Sequence, residues 1–430
     1  MSKTDNIYST IRSAKFVLKP NSKQKEILES FFGLSRALYN ISLYNVKQSK
    51  FGTYETKNGN IVPKIPTEFD LNKFLTKLKE EYSYLTLLPS DYAQAVMRNL
   101  SRGFDNFYRT LNYPKFKAKK SSTQSFNTYA GSKVRIDGDY IILAKPRGSD
   151  YTKEDLRIRF KRHKIKYNFE KVTGFTISRE NNKYYISFTF YCDIESKDTS
   201  GAVGIDLGVK DFAICSDGTV YPNMRFLEKS LRKLKISQRR LSKKQKGSKN
   251  REKQRIKVSK QYKKVKNQRN DYQHKVSREL ADKHNTICLE TLNVKNMVKN
   301  KKLARAISDV SWSSFVSKLQ YKIAENQGCL VKIKPFYPSS KTCSNCGCVK
   351  KELKLSERTY HCSECGFTID RDLNASINIL KAGLNMIEAT DATAGTSLKN
   401  QSLRSSKTTQ ILSEKNCETR KTIKKRKESL

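Results

Sequence analysis

Four cysteines and a handful of acids are the residues of this chain whose types and spacing could carry chemistry. Cys343, Cys346, Cys362 and Cys365 follow C-x2-C-x15-C-x2-C, the spacing of a tetrahedral four-thiolate zinc site of the ribbon type. Gly347 and Gly366 follow the two pairs, where a positive φ lets backbone N–H groups turn toward thiolate sulfur. Four protein ligands leave no open coordination position, so zinc here is expected to be structural. Cys348 reads as a bystander thiol. With Cys192, Cys215, Cys288, Cys329 and Cys417 it is scattered singly, unlike a disulfide framework.

The acids stand elsewhere. "AVGIDLGVKDFAICSDGTV" reads as a buried strand over 202–207, a second strand over 212–215 and the turn "SDGT". Asp206 then ends an apolar strand, where a charge is expensive unless paired or bound to metal; a plain strand-end turn residue is the competing reading. "NTICLETLNV" is a short apolar strand ending in Glu290. In "TIDRDLNASINIL", Asp370 and Asp372 precede a helix, and one of them could simply cap it. Taken together, acids at two strand ends and one helix start suit a two-metal phosphodiesterase. Mg²⁺ favours a few carboxylates, water and a substrate phosphate, and two ions about 4 Å apart can activate water and stabilise the leaving oxygen.

Charge names the partner class. Eighty-six Lys and Arg against 41 Asp and Glu leave +45 over 430 residues, a surplus that repels itself unless a polyanion shares the surface. No run of about 18 apolar residues could span a bilayer, and the polar start is not a secretory signal. The expectation is a soluble, cytoplasmic protein that binds nucleic acid and no membrane. Between 229 and 270 stand 19 basic residues and one acid, Glu252. A sparse apolar stripe through Leu231, Leu234, Leu241, Ile256 and Val265, broken near Gly247, predicts two antiparallel helices. Their basic faces, with Arg239, Arg240, Lys243 and Lys244, are expected to meet polyanion.

The flanking elements supply the scaffold. "AKFVLK" predicts a strand stopped by Pro20, followed by a helix capped by Ser22. A second helix starts near 66–70. A third follows Ser90 or Asp91, with Val96, Leu100, Phe104 and Phe107 on one face. "YPKFKAKKSSTQSF" interleaves basic and aromatic residues, either for phosphate contact with base stacking or as a solvated loop with anchoring rings. From 140 to 192 the chain is β-rich, with a turn at "RENNK", and together with the first strand it could close a small barrel. Beyond about 386 the composition is that of a disordered basic tail.

In order, "GIDLGVKDFAICSDG", "LETLNVKNM", "WSSFVSKLQYKIAENQG", "PSSKTCSNCG" and "CSECGFTIDRDLNASINIL" resemble the transposon-encoded TnpB proteins, relatives of the type V CRISPR nucleases. The likeness runs from the first strand to about residue 385. It implies an α/β multidomain chain: a β-barrel wedge domain over 1–196, with strands near 14–19 and 130–196 and a helical recognition insert at about 22–125. An RNase H-like (RuvC-like) nuclease domain would follow at 197–340, containing the basic hairpin 225–282. A zinc ribbon at 341–369 and the last nuclease motif at 370–385 would precede the tail. The resemblance assigns Asp206, Glu290 and Asp372 as catalytic ligands of two Mg²⁺ ions, Asp370 ranking behind Asp372, and Cys343, Cys346, Cys362 and Cys365 as the zinc ligands. It implies a monomeric RNA-guided DNA endonuclease of a prokaryotic cell, nucleoid-associated on DNA, whose guide RNA comes from the transposon end and whose double-stranded target carries a short flanking motif. Gln94 and Arg98 are the residues expected to read that motif. One departure is Ser376, where the pattern more often has alanine. A transposase or accessory DNA-binding protein, and a guided binder without cleavage, are the alternatives.

Overall fold

The computed structural model describes residues 7–55, 59–119, 123–128, 135–162, 172–354 and 356–395. Two compact units, one holding Ile7–Ile194 and the other beginning at Glu195, each have their own sheet and core.

The first unit runs β1 (Ile7–Leu18), α1 (Ser22–Lys47), the hairpin β2 (Thr53–Glu55) and β3 (Ile61–Pro63), α2 (Glu68–Glu81) and α3 (Ser90–Thr110). It continues β4 (Thr123–Asn127), β5 (Arg135–Asp137), β6 (Tyr140–Ile142), the single turn α4 (Lys153–Leu156), β7 (Arg157–Lys161), β8 (Val172–Glu180) and β9 (Lys183–Glu195). Seven strands form one sheet in the order β4-β8-β9-β1-β7-β6-β5. Asn181 and Asn182 both have positive φ (52° and 60°) between β8 and β9, the two-residue turn that suits strand twist. Phe16, Phe160 and Phe188, from β1, β7 and β9, pack with ring centroids 5.3 to 5.9 Å apart.

Two expected caps are corrected. Asn21, not Ser22, caps α1: its side chain accepts from the Gln24 N–H, and the Gln24 side chain accepts from the Asn21 N–H. The Gln24 amide in turn donates to the Glu154 and Arg157 carbonyls, tying the start of α1 to the α4–β7 segment. Neither Ser90 nor Asp91 caps α3, which follows Pro89 without a side-chain cap. The β-rich stretch expected at 156–167 is strand as far as Lys161, and residues 163–171 lie outside the described residues.

The second unit runs β10 (Ala202–Asp206), β11 (Asp211–Cys215), β12 (Val220–Pro222), α5 (Phe226–Ser242), α6 (Lys249–Lys283), β13 (Thr286–Leu289) and the short α7 (Val294–Met297) and α8 (Ala304–Val310). After these come α9 (Trp312–Glu325), β14 (Cys329–Lys332), the hairpin β15 (Thr359–His361) and β16 (Thr368–Asp370), and α10 (Arg371–Gly395). Its sheet has the order β12-β11-β10-β13-β14. The first three strands are antiparallel, and β10, β13 and β14 are parallel. The basic hairpin forms as expected, α5 and α6 reversing around Gly247 at φ +88°. Its core is thin: Leu234, Val258 and Val265 are buried, and the Arg251 guanidinium of α6 donates to the Leu241 and Lys244 carbonyls, tying the two helices together beside the turn.

Alternation along β10 and β13 sends successive side chains to opposite faces. Val203, Ile205, Ile287 and Leu289 join a core with Leu280 of α6 and Phe315 and Leu319 of α9. Gly204 and Cys288 face α10 instead. A Cβ on Gly204 would lie 2.1 Å from the Ser376 carbonyl oxygen, and one on Gly383 of α10 would lie 2.2 Å from Cys288 Sγ. The helix therefore lies against the sheet almost backbone to backbone. The tail boundary moves accordingly: α10 continues past 385 to Gly395, with Met386 packed on the Cys288–Ile333–Ile379 cluster. Residues 396–430, Cys417 included, lie outside the described residues. No described helix is long and apolar enough to cross a membrane.

Gly204→Ala is expected to destabilise the protein by about 1–3 kcal/mol or more, the range for overpacking a close contact. Gly33→Ala on α1, where a Cβ meets nothing nearer than 4.0 Å, should be neutral or slightly stabilising. Denaturant titration of both variants checks the contrast.

Candidate active site

The parallel register pairs Gly204 with Cys288 and Ile205 with Leu289. Asp206 and Glu290 come next on their strands, side by side at the carboxyl ends and on the face that Gly204 and Cys288 turn to α10. That helix brings the third acid. Asp370 Oδ1 accepts the N–H groups of Asp372 (2.9 Å) and Leu373 (3.0 Å), so Asp370 is the cap and Asp372, in the first turn, is free of that duty.

The convergence shows in the electrostatics. Burial pushes the Asp206 carboxyl up to about 7, the negative fields of Glu290 and Asp372 push the same way, and Arg371 opposes them. Asp206 as a residue is only partly buried, but its carboxyl end is the desolvated part. A carboxylate raised by burial and by two like charges is costly to the fold and marks a functional site. Arg358 stands 4.0 Å from Asp372, and Ser339 Oγ donates to Glu290 Oε1.

The four cysteine sulfurs lie within 4.8 Å of one another. Cys343 and Cys365 are 3.7 Å apart and Cys346 and Cys362 3.6 Å, close to the edge of about 3.8 Å that a tetrahedron with Zn–S of about 2.3 Å requires. The residues thus fit zinc. Gly347 (φ +80°) and Gly366 (φ +69°) form the two knuckles, with their N–H groups on the Cys343 and Cys362 carbonyls. Phe367 N–H, donating toward Cys365, helps hold that thiol near 6, favouring the thiolate a metal needs.

Asparagines bind the ribbon to the helix. Asn374 donates to the Thr342 carbonyl at 2.7 Å and accepts from Ser344 N–H at 2.9 Å. Asn378 donates to the Ser339 and Thr342 carbonyls, and Lys381 to the Ser344 carbonyl. One segment, 339–344, thereby touches Glu290, the first zinc knuckle and α10. Ser376 is buried, its hydroxyl donating to the Leu373 carbonyl, so the departure from alanine is absorbed within the helix.

The nucleic-acid residues fall in two places. Arg239, Arg240 and Lys243 are exposed and Lys244 partly exposed at the end of α5. In the first unit, exposed Gln94 lines a cleft of about 870 Å³ with Lys79, Lys145 and Arg147. Arg98 Nε donates to both carboxylate oxygens of Glu68 (3.1 and 3.2 Å), an ion pair it would have to leave to meet a base. Of the two rings of "YPKFK", Tyr113 is an anchor packed on Phe104 and Phe107, whereas Phe116 is exposed, with Lys47 4.8 Å from its ring. Ser339, Asn378, Arg358 and Arg371 escape a reading of spacing, although Arg371 and Asn374 sit inside the D-R-D-L-N run itself.

Three family models match the chain: "Probable transposase" over 186–301, "Cas12f1-like, TNB domain" over 312–379 and "Helix-turn-helix domain" over 10–49. A Streptomyces pristinaespiralis protein named "Putative RNA-guided DNA endonuclease" is 33% identical over 87% of this chain and 89% of its own length. The chain belongs to the TnpB family. InsQ of Escherichia coli strain K12, which bears the same description, is a TnpB relative 28% identical over 87% of this chain and 92% of its own. The solved mini-RNA-guided endonuclease CRISPR-Cas phi3 aligns over 87% of this chain and 92% of its own at 10% identity and a TM-score of 0.45. In this TnpB chain the helix-turn-helix match falls on β1 and the single helix α1.

A carboxyl raised in the folded state and ordinary in the unfolded chain opposes folding as it ionises. The penalty is absent below about pH 4, grows as pH rises and is complete above about 7. Without divalent metal, Asp206→Asn should therefore raise stability at pH 8 by up to about 4 kcal/mol and change it little near pH 4; equal effects at both pH values would refute the assignment. Elemental analysis should find one zinc per native chain, lost in Cys343→Ser.

Proposed function

We propose that this chain is an RNA-guided DNA endonuclease that hydrolyses phosphodiester bonds in double-stranded DNA beside a short flanking motif. The observation that carries the reading is the convergence of Asp206, Glu290 and Asp372 at one end of a mixed sheet. The strand order β12-β11-β10-β13-β14, antiparallel then parallel, supports an RNase H-like (RuvC-like) domain. Its carboxylates lie where open α/β sheets bind ligands, at the carboxyl ends of the parallel strands. The seven-stranded sheet with its helices supports the wedge and recognition assignment of the first unit. The charge of +45 and the names of the relatives support RNA and DNA as partners and a place in the cytoplasm of a prokaryotic cell.

Asp206, Glu290 and Asp372 are the residues that would hold the two Mg²⁺ ions. Magnesium bound there supplies an activated water and charge stabilisation for the leaving oxygen. The protein's own residues do the rest. Ser339 orients Glu290 by its hydrogen bond. Arg358, beside Asp372, and Arg371, whose charge reaches Asp206, put positive charge at the same end, which favours a phosphodiester among three acids. Asp370 spends its carboxylate on the helix cap, holding Asp372 in the first turn. The guide–target duplex is recognised through backbone shape in basic grooves, with sequence left to base pairing.

The test is to purify the monomer with its co-purifying RNA and assay magnesium-dependent cutting of plasmids that carry matching targets with randomised flanks. Asp206→Ala, Glu290→Ala and Asp372→Ala should each lose cleavage while RNA binding survives. Asp370→Ala should still cut and lose about 1 kcal/mol of stability, as for a missing cap. Undiminished cutting by Asp206→Ala or Glu290→Ala would sink the reading.

A further inference from the structure

Phe336 is 98% exposed, with its backbone at φ +62°. It is the third residue of a turn, Lys334–Pro335–Phe336–Tyr337, whose ends approach with Tyr337 N–H on the Lys334 carbonyl at 3.4 Å. Proline suits the second position of such a turn, but a positive φ at the third is a place for glycine or asparagine. A phenylalanine there is strained, and a ring standing in water returns nothing to the fold. Strain of this kind points to a ligand outside the fold.

The surroundings say which ligand. The ring stands on the rim of a groove of about 940 Å³ that is also lined by Glu290, by apolar Leu292 and Met297, and by Lys295 and Lys334. Both lysines are exposed. An aromatic face beside cations, in a groove that ends on a hydrolytic carboxylate, is the chemistry that holds a single polynucleotide strand: bases stack on the ring and phosphates meet the cations. A duplex keeps its base faces stacked inside and cannot use the ring.

We infer that Phe336 is a stacking platform for an unpaired DNA base and that the groove beside it leads the strand to be cut toward Asp206, Glu290 and Asp372. The inference rests on the nuclease reading for the identity of the strand, and on the groove alone for the stacking.

The test uses the protein with its RNA and target DNA carrying 2-aminopurine at successive positions of either DNA strand or of the guide, with calcium replacing magnesium so that the strand stays intact. Fluorescence should be quenched at one or two adjacent unpaired DNA positions. Phe336→Gly should remove the quench and lower kcat/KM for cleavage about five- to a hundredfold, the range carried by one base stacked on an aromatic ring. Phe336→Trp should restore both. Because glycine relieves the positive φ, Phe336→Gly should melt no lower than the native protein, which separates lost stacking from lost folding. Native cleavage by Phe336→Gly, or a quench confined to guide RNA positions, would overturn the inference and leave the nuclease reading standing. If the native complex cuts no guided target, the nuclease reading fails instead. Quenching of a bare 2-aminopurine oligonucleotide, dependent on Phe336, then still decides the stacking claim.

Discussion

The near contact between α10 and β10 is the constraint on which the rest of the second unit depends. With hydrogen at Gly204 and at Gly383, the helix settles onto the sheet to a depth at which a methyl group would strike the Ser376 carbonyl or the Cys288 sulfur. Depth and angle together decide where the first turn of the helix falls. That turn carries Asp372, and it meets the strands at the end where Asp206 and Glu290 emerge. A helix held farther out by one side chain would leave its acid outside the field of the other two.

The closeness carries an electrostatic cost: burial first, and then the like charges of Glu290 and Asp372, push the Asp206 carboxyl up to about 7. The fold tolerates this because the surrounding polar groups are anchored independently of the acids. Asn374 and Asn378 are fully or almost fully buried, and both donate to carbonyls of the 339–344 segment, bonds that gain strength where the dielectric is low. The first of the two cysteine knuckles borders the same segment, at Cys343 and Cys346. The ribbon and Asp372 are thus neighbours for a mechanical reason: the ribbon's first knuckle is stitched to the helix that presents Asp372, and Ser339 at its root holds Glu290.

Much of this was legible residue by residue. Apolar runs ending in Asp206 and Glu290 located the strand ends, C-x2-C spacing located the four cysteines that cluster, and Gly247 located the break between two basic helices. Each is a local pattern with a local cause. Long-range partners were not legible. That the Gln24 amide reaches Glu154 and Arg157 leaves no local pattern. Arg98 reads as a free base-contacting arginine until Glu68, thirty residues away, is seen to hold it. Tyr113 of "YPKFK" looks available until α3 is seen to cover it.

The sequence by itself located four cysteines spaced to hold a metal, the acids worth testing and the basic runs that suit a polyanion, because spacing, composition and periodicity act over a few residues. The resemblance ranked Asp372 ahead of Asp370, and the tertiary structure adds the contacts that set the two apart. Both are aspartates at one helix start, and the choice turns on which carboxylate accepts the helix N–H groups and which is left facing Asp206. The tertiary structure alone revealed Phe336 in a glycine's backbone conformation beside the site, since a phenylalanine, unlike a glycine, gives no sign in the sequence that its φ is positive.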